Sequence, residues 1–167
     1  MSSSLRPTLL ADTATLLAIT QATGKFKPLE IEALAEVLAD YHAVEHAQGH
    51  CCVTLEEDGE IAGFAYYAPA PMTDRSWQLW WIVVRAGRQG GGLGGKLLHQ
   101  VENDIAAKKG RLIFIETASV PQYENTRRFY RKHGYEQHAL LKDYYAAGDS
   151  MVVFRKELKV IGVGSAD

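Results

Sequence analysis

Cysteine is scarce in this chain. Its 167 residues hold only Cys51 and Cys52, and neighbours in sequence cannot close an ordinary structural bridge with each other, so a disulfide scaffold is excluded. No apolar run approaches the roughly 18 residues that a membrane-spanning helix needs, so no membrane partner is expected. An excess of one charge is also missing. Against 18 Lys and Arg stand 20 Asp and Glu, a formal net charge of −2 with no block of like sign. That gives no electrostatic case for nucleic acid. With no signal-peptide pattern and reduced cysteines, the expected compartment is the cytoplasm. Repeats and convincing linkers are lacking too, so one domain is expected over residues 1–160, with a flexible tail at 161–167. Hydrophobic residues make up 47% of the chain, enough for a substantial core.

What the chain has in abundance is glycine, concentrated at one place. Arg88-Gln89-Gly90-Gly91-Gly92-Leu93-Gly94-Gly95-Lys96 lies between an apolar run, Trp80–Val84, and an amphipathic segment from Leu93 to Lys109. Five glycines among six positions let a ligand approach the backbone amides without obstruction. A helix opening there adds unpaired N–H groups and the positive end of its dipole. The combination is an anion cradle, most often for phosphate.

Three Gly-rich templates compete for this loop. Gly90 to Lys96 reads G-x-x-x-x-G-K, but Leu97 stands where a P-loop needs Ser or Thr to hold Mg²⁺. Gly90-Gly91-Gly92-Leu93-Gly94-Gly95 also satisfies the dinucleotide fingerprint G-x-G-x-x-G, and Glu116 follows about 20 residues on. Against that reading, Arg85 to Gln89 separate the strand from the first glycine, and the loop falls mid-chain, without room for a second mononucleotide half. The third template is Q/R-x-x-G-x-G/A, matched by Gln89-Gly90-Gly91-Gly92-Leu93-Gly94.

The remaining chain reads as a mixture of helices and strands. Leu5–Thr8 is a short first strand. Asp12 is placed to cap a helix carrying Leu16, Leu17 and Ile19. A second helix puts Ile31, Leu34, Leu38 and Tyr41 on one face. Cys51–Leu55 and Ile61–Tyr67 flank Asp58-Gly59, a strong hairpin signal. A fourth strand, Gln78–Val84, precedes the Gly loop, and the long helix after the loop carries Leu93, Leu97, Val101 and Ile105 until Gly110 ends it. A fifth strand, Leu112–Thr117, leads to a short helix closed by Gly134. Late strands near Ala139–Leu141 and Met151–Arg155 flank a loop with Asp143, Gly148 and Asp149. His42, His46 and His50 fall at spacings of four near the second helix. No Cys or carboxylate set completes a metal site with them, so a solvated helix end is the reading and no metal is expected.

The third template belongs to a family. Together with Phe129-Tyr130-Arg131-Lys132-His133-Gly134-Tyr135, which matches F-Y-x-x-x-G-F/Y, the loop resembles the GNAT N-acetyltransferase superfamily over residues 77–135, and the order of elements agrees over nearly the whole chain. The resemblance implies an α/β fold with a mixed sheet, antiparallel N-terminal strands and a central βαβ unit. It implies acetyl-CoA as donor, and an amine acceptor that is a small molecule or a peptide or protein N-terminus, attacked directly in a ternary complex. It further implies main-chain contacts to pantetheine from Ile82, Val83 and Val84, and pyrophosphate on Gln89, Gly90, Gly91, Gly92, Leu93, Gly94 and Gly95. Arg88 is either a phosphate contact at the rim or a solvated arginine. Tyr130 matches the tyrosine that protonates the departing CoA sulfur; its plainer role is packing.

The proton acceptor is less defined. Many relatives carry a glutamate on the fourth strand, but Trp77–Val84 holds no carboxylate. Glu116 is the substitute, on the same face as Leu112 and Phe114, where desolvation would raise its basicity. A strand-end glutamate paired with a surface base is the competing reading, and the six histidines are further alternatives. Where relatives hold pantetheine with Asn, this chain has Tyr123; Asn125, two positions on, is the candidate replacement. The acceptor is expected to enter between Gln21–Pro28 and Lys142–Ser150. A non-catalytic CoA- or dinucleotide-binding module is the alternative function. The assembly expected is a monomer or a homodimer.

Overall fold

Eleven regular elements alternate along residues 2–159, which the computed structural model describes; the tail expected from residue 161 lies outside them. In chain order they are β1 (Ser3–Pro7), α1 (Thr13–Ala22), α2 (Pro28–Ala43), β2 (Cys51–Glu57), β3 (Glu60–Pro69), β4 (Ser76–Val84), α3 (Leu93–Ala107), β5 (Leu112–Ala118), α4 (Glu124–Lys132), β6 (Glu136–Ala146) and β7 (Asp149–Glu157). Seven strands form one mixed sheet in the order β1-β2-β3-β4-β5-β7-β6, as the α/β reading requires. The chain divides into two compact units, one built from residues 1–68 and 80–101, the other from Pro69–Leu79 and the chain from Glu102 on.

In the first unit β1 pairs antiparallel with β2, and β2 with β3. The β2–β3 turn is the predicted one: Asp58 and Gly59 both take positive φ, +52° and +82°, as a type I′ hairpin turn demands. Leu16 and Ile19 of α1 and Leu34, Leu38 and Tyr41 of α2 bury against Cys52, Phe64, Tyr66 and Val83 of the sheet. Gly63 is fixed by space. A β-carbon there would stand 2.5 Å from the Val83 carbonyl oxygen and 3.1 Å from Leu97 Cδ1, so only glycine lets these elements meet. Trp81 packs on Phe26 at 5.4 Å and its neighbour Trp80 on Tyr66 at 5.6 Å. Tyr66 belongs to the helix-covered cluster, and Phe26 and Trp81 pack against it.

Asp12 does not cap α1 through its side chain. Its carboxylate instead receives both Arg6 Nη1 and Nη2, at 2.7 and 3.0 Å, and the Leu9 amide at 2.8 Å. A nearby guanidinium outcompetes the helix amides for a single carboxylate. The histidines do not share a helical face either. Because α2 ends at Ala43, His42 lies on α2, His46 in a 3₁₀ turn at Glu45–Gln48, and His50 at the entrance to β2.

In the second unit, the residues Ser76–Leu79 run parallel to Leu112–Ile115 of β5, β5 pairs antiparallel with β7, and β7 with β6. Gly110 does not terminate α3 through its own conformation. Lys109 takes the left-handed turn, φ +62°, while Gly110 is required by packing: a β-carbon would meet Ile105 Cγ2 at 2.2 Å and Trp77 Cδ1 at 2.8 Å. The loop expected around Asp143 is mostly strand. β6 runs on to Ala146, and Asp143 sits in it at φ +55°, its amide on Ser150 Oγ at 3.0 Å, leaving only Ala147 and Gly148 as the turn. The pairing with β7 is interrupted between Leu141 and Ala146, where the register shifts, so the polar segment that reads as loop in sequence is an irregular stretch of strand.

Candidate active site

The glycine loop opens α3 as its composition requires. Gly90 and Gly92 have φ of +82° and +83°, a region that side chains rarely adopt. A β-carbon built on either meets nothing within 4 Å, so the space over these two residues is open to a ligand. The first helical bond runs from the Lys96 amide to the Gly92 carbonyl, 3.0 Å. The amides of Leu93, Gly94 and Gly95 therefore have no acceptor within the helix, at the positive end of its dipole. Leu93 buries its side chain, which fixes the first turn while leaving its backbone to bind.

Flanking side chains hold the loop in place. Gln89 Nε2 donates to the Val84 carbonyl oxygen at 3.2 Å, and the Arg88 amide to the Arg85 carbonyl at 3.0 Å. Arg88 Nη1 lies 3.0 Å from Glu57 Oε2. That pair is an ion contact without hydrogen-bond alignment, since Glu57 Oε2 is buried without a hydrogen-bond partner among the described residues. Arg88 is thus not simply solvated; a phosphate there would compete with Glu57. Lys96 turns away from the cradle to the carbonyl oxygen of Ser3, 3.0 Å, and Leu97 is buried. Both facts remove the P-loop reading a second time. The donor set of open amides, helix dipole and neighbouring guanidinium fits a pyrophosphate.

Tyr130, Glu116 and Asn125 belong to the second unit. Tyr130 is 4% exposed and packed by Phe129, Phe154 and Tyr135 at centroid distances of 5.4, 5.6 and 5.9 Å. The end of α4 sets its position. Gly134, φ +86°, sends its amide to the Arg131 carbonyl, and Tyr135 its amide to the Tyr130 carbonyl, at 3.1 and 3.0 Å. These two bonds with the Tyr130–Tyr135 ring contact make a Schellman motif. Burial pushes the Tyr130 phenol above its ordinary range, so the group keeps its proton at neutral pH. A second anchor had no signal in the sequence: Arg127 Nη1 donates to the carbonyls of Ala118 and Val120, at 2.7 and 3.1 Å, tying α4 to the end of β5.

Glu116 shares the less buried face of β5 with Leu112 and Phe114, as alternation predicts, but it is exposed. The apolar shelter expected to raise its basicity is absent. Asn125 is exposed in the first turn of α4. Of the two cysteines, Cys52 is buried, and burial pushes its thiol up to about 12, which makes it inert as a nucleophile. Among the described residues no group of three or more His, Cys, Asp or Glu could hold a metal ion, and no helix is long and apolar enough to cross a membrane.

Comparisons with known proteins bear on the family and the fold. The acetyltransferase (GNAT) family model matches residues 16–135. A GNAT-family protein from Desulfovibrio desulfuricans is 35% identical with TM-score 0.90, over 95% of this chain and all of the other. The ribosomal-protein-S18-alanine N-acetyltransferase of Escherichia coli shares the fold at 16% identity and TM-score 0.77, covering 98% of both chains. So does a Salmonella typhimurium protein, solved with its cofactor acetyl-CoA, at 17% identity and TM-score 0.76 over the whole of both chains. A search of the curated proteins finds no match.

Proposed function

Because the chain belongs to the acetyltransferase (GNAT) family, we propose that it moves the acetyl group of acetyl-CoA to a primary amine, of a small molecule or of a peptide N-terminus, by direct attack in a ternary complex. The observation that carries the reading is the cradle: two positive-φ glycines with open space above them, at the first turn of a helix whose leading amides have no helical partner. Acetyl-CoA brings the activated thioester. Ile82 to Val84 offer main-chain groups along its pantetheine, the loop holds its pyrophosphate, and Asn125, two residues past the position where relatives hold pantetheine, is the candidate polar contact.

The transfer makes three demands on the protein. Developing charge on the carbonyl oxygen needs donors, which main-chain N–H groups near Val84 supply. The departing thiolate needs a proton, and Tyr130, held protonated by its burial, gives it. The amine must lose a proton, and Glu116, being exposed, can take it only through water. Two reduced cysteines fit a reducing compartment such as the cytoplasm.

The test is thiol release from acetyl-CoA in the presence of a panel of amines: alkylamines, arylalkylamines, polyamines and peptides with free N-termini. One or more amines should raise release well above hydrolysis. Tight calorimetric binding of acetyl-CoA with no amine-stimulated release would give the chain to a non-catalytic CoA-binding module, and preference for NAD would give the loop to a dinucleotide.

A further inference from the structure

A chain of three polar side chains crosses the first unit, and no step described above uses it. Glu45, in the 3₁₀ turn after α2, places Oε2 3.1 Å from His50 Nε2. His50 Nδ1 lies 2.6 Å from the Tyr66 hydroxyl. The hydroxyl of Tyr66, a β3 residue only 1% exposed, is the inner end of the chain; the Glu45 carboxylate, about one-third exposed, is the outer end. Both rings stand against Trp80 of β4, Tyr66 at 5.6 Å and His50 at 5.7 Å. Trp80 is itself 45% exposed. It precedes by two residues Ile82, the start of the stretch assigned to pantetheine.

The surroundings favour one tautomer. The Glu45 carboxylate lies at ion-pair distance from Nε2, without hydrogen-bond alignment, and its charge favours the proton on that nitrogen, which leaves Nδ1 to accept from Tyr66. That is the order of a base held by an orienting carboxylate, with a hydroxyl on the nitrogen that receives the proton.

We propose that the Glu45–His50–Tyr66 chain takes the proton that the acceptor amine must lose, with the Tyr66 hydroxyl as its inner end beside Trp80 and His50 as the group that becomes charged. The proposal rests on the acetyl-transfer reading. An N–H bond of the amine breaks and its proton passes, directly or by one water, to the Tyr66 oxygen. The Tyr66 proton moves at the same time to His50 Nδ1. No tyrosinate forms, and the nitrogen lone pair is left to attack the thioester carbonyl. The resulting imidazolium lies against the Glu45 carboxylate and later returns its proton to solvent.

Imidazole matches the task better than an exposed carboxylate such as Glu116, because a base works best when its pKa lies near the operating pH. Desolvation, the largest influence on the Tyr66 phenol, pushes it well above its ordinary range, so Tyr66 serves by relaying a proton and not by ionising. The titratable groups around the chain are Tyr41 from α2, Glu45 from the turn, Cys51 and Cys52 from β2, and Tyr66 from β3. Glu45 is the one among them that ordinarily carries charge at neutral pH.

The alternative is purely structural: His50 satisfies a buried hydroxyl and does nothing else. The pH dependence of kcat/KM, measured with acetyl-CoA and the most active amine of the panel, separates the two. His50→Gln should remove the acidic limb that an imidazole gives between about pH 5 and 8 and lower the neutral-pH rate about 10²-fold, with acetyl-CoA affinity unchanged. Glu45→Gln, a change at a part-exposed site, should lower the neutral-pH rate less than His50→Gln does, because the imidazole loses its orienting partner but stays in place. Tyr66→Phe keeps the ring packing and should lower the rate like His50→Gln. A parent-like acidic limb in His50→Gln, or a loss uniform at every pH in all three variants, overturns the proposal. An unmodified protein that acetylates no amine overturns the acetyl-transfer reading instead, before any variant is made.

Discussion

Replacing Gly92 by alanine tests the cradle at the position where the backbone leaves least choice. Gly92 has φ +83°, and a β-carbon there meets no atom within 4 Å. The substitution therefore introduces no clash in the protein itself. Its stability cost is the left-handed backbone alone, about 1–2 kcal/mol for a residue with a β-carbon, or a fall in Tm of about 2–8 °C for a chain of this size. The binding cost is separate. The new methyl occupies the space in which the pyrophosphate is to lie, and it tilts the amides that open α3. Affinity for acetyl-CoA should fall at least tenfold, about 1.4 kcal/mol. Gly59→Ala is the matched control, because Gly59 has φ +82° and open space as well, but lies in the β2–β3 turn. It should show the same melting shift and unaltered affinity. Calorimetric titration with acetyl-CoA and thermal melts on the same samples give both numbers. If folded Gly92→Ala binds like the parent, or if Gly59→Ala weakens binding equally, the loop is not the pyrophosphate site.

Tyr130→Phe should lower kcat about 10²-fold with little change in acetyl-CoA affinity, since the ring keeps its packing; full activity would leave Tyr130 as packing only. Glu116→Gln separates the two proton acceptors: with the histidine chain acting, its pH–rate profile follows the parent's. A loss at neutral pH that recovers at high pH would return the role to Glu116. Asp12→Asn should cost about 2 kcal/mol at pH 7, because the hydrogen bonds from Arg6, ahead of the opposing desolvation, hold the Asp12 carboxyl below its ordinary range. A pKa depressed by folding stabilises above the unfolded value near ~3.9 and is lost as pH falls through the folded value. The deficit measured by urea unfolding should therefore shrink as pH falls below the unfolded value, and an equal deficit at pH 7 and in acid would refute the assignment.

The parts of this fold that were legible in sequence are those decided by local chemistry. Asp58-Gly59 takes a turn that few other pairs tolerate, and Gly134 takes the left-handed position that closes α4. Leu34, Leu38 and Tyr41 show a period that only one helix face can bury. The misreadings share a cause, which is competition from residues distant in sequence or space. Asp12 looks like a cap until Arg6 is brought to it. Gly110 looks like a helix stop until Trp77 and Ile105 are seen to leave no room for a β-carbon. Asp143 looks like loop until its amide finds Ser150.

The same distinction divides the candidate site. On the proposed reading, recognition of the donor is backbone work, done by amides at a helix start. Backbone sites must be written in glycine, so the pattern from Gln89 to Gly95 announces itself in one short stretch. Proton transfer is side-chain work. Glu45 and His50 lie five residues apart across a turn, and Tyr66 comes from the far strand of a hairpin, so no spacing rule joins them. The glutamate that relatives carry on the fourth strand is missing here, and from sequence Glu116 was the natural replacement because it too lies on a strand. Its exposure argues that a strand position alone does not make a base. What makes one is a fixed partner on one side and a proton path on the other, and on the reading proposed above His50 has them in Glu45 and Tyr66.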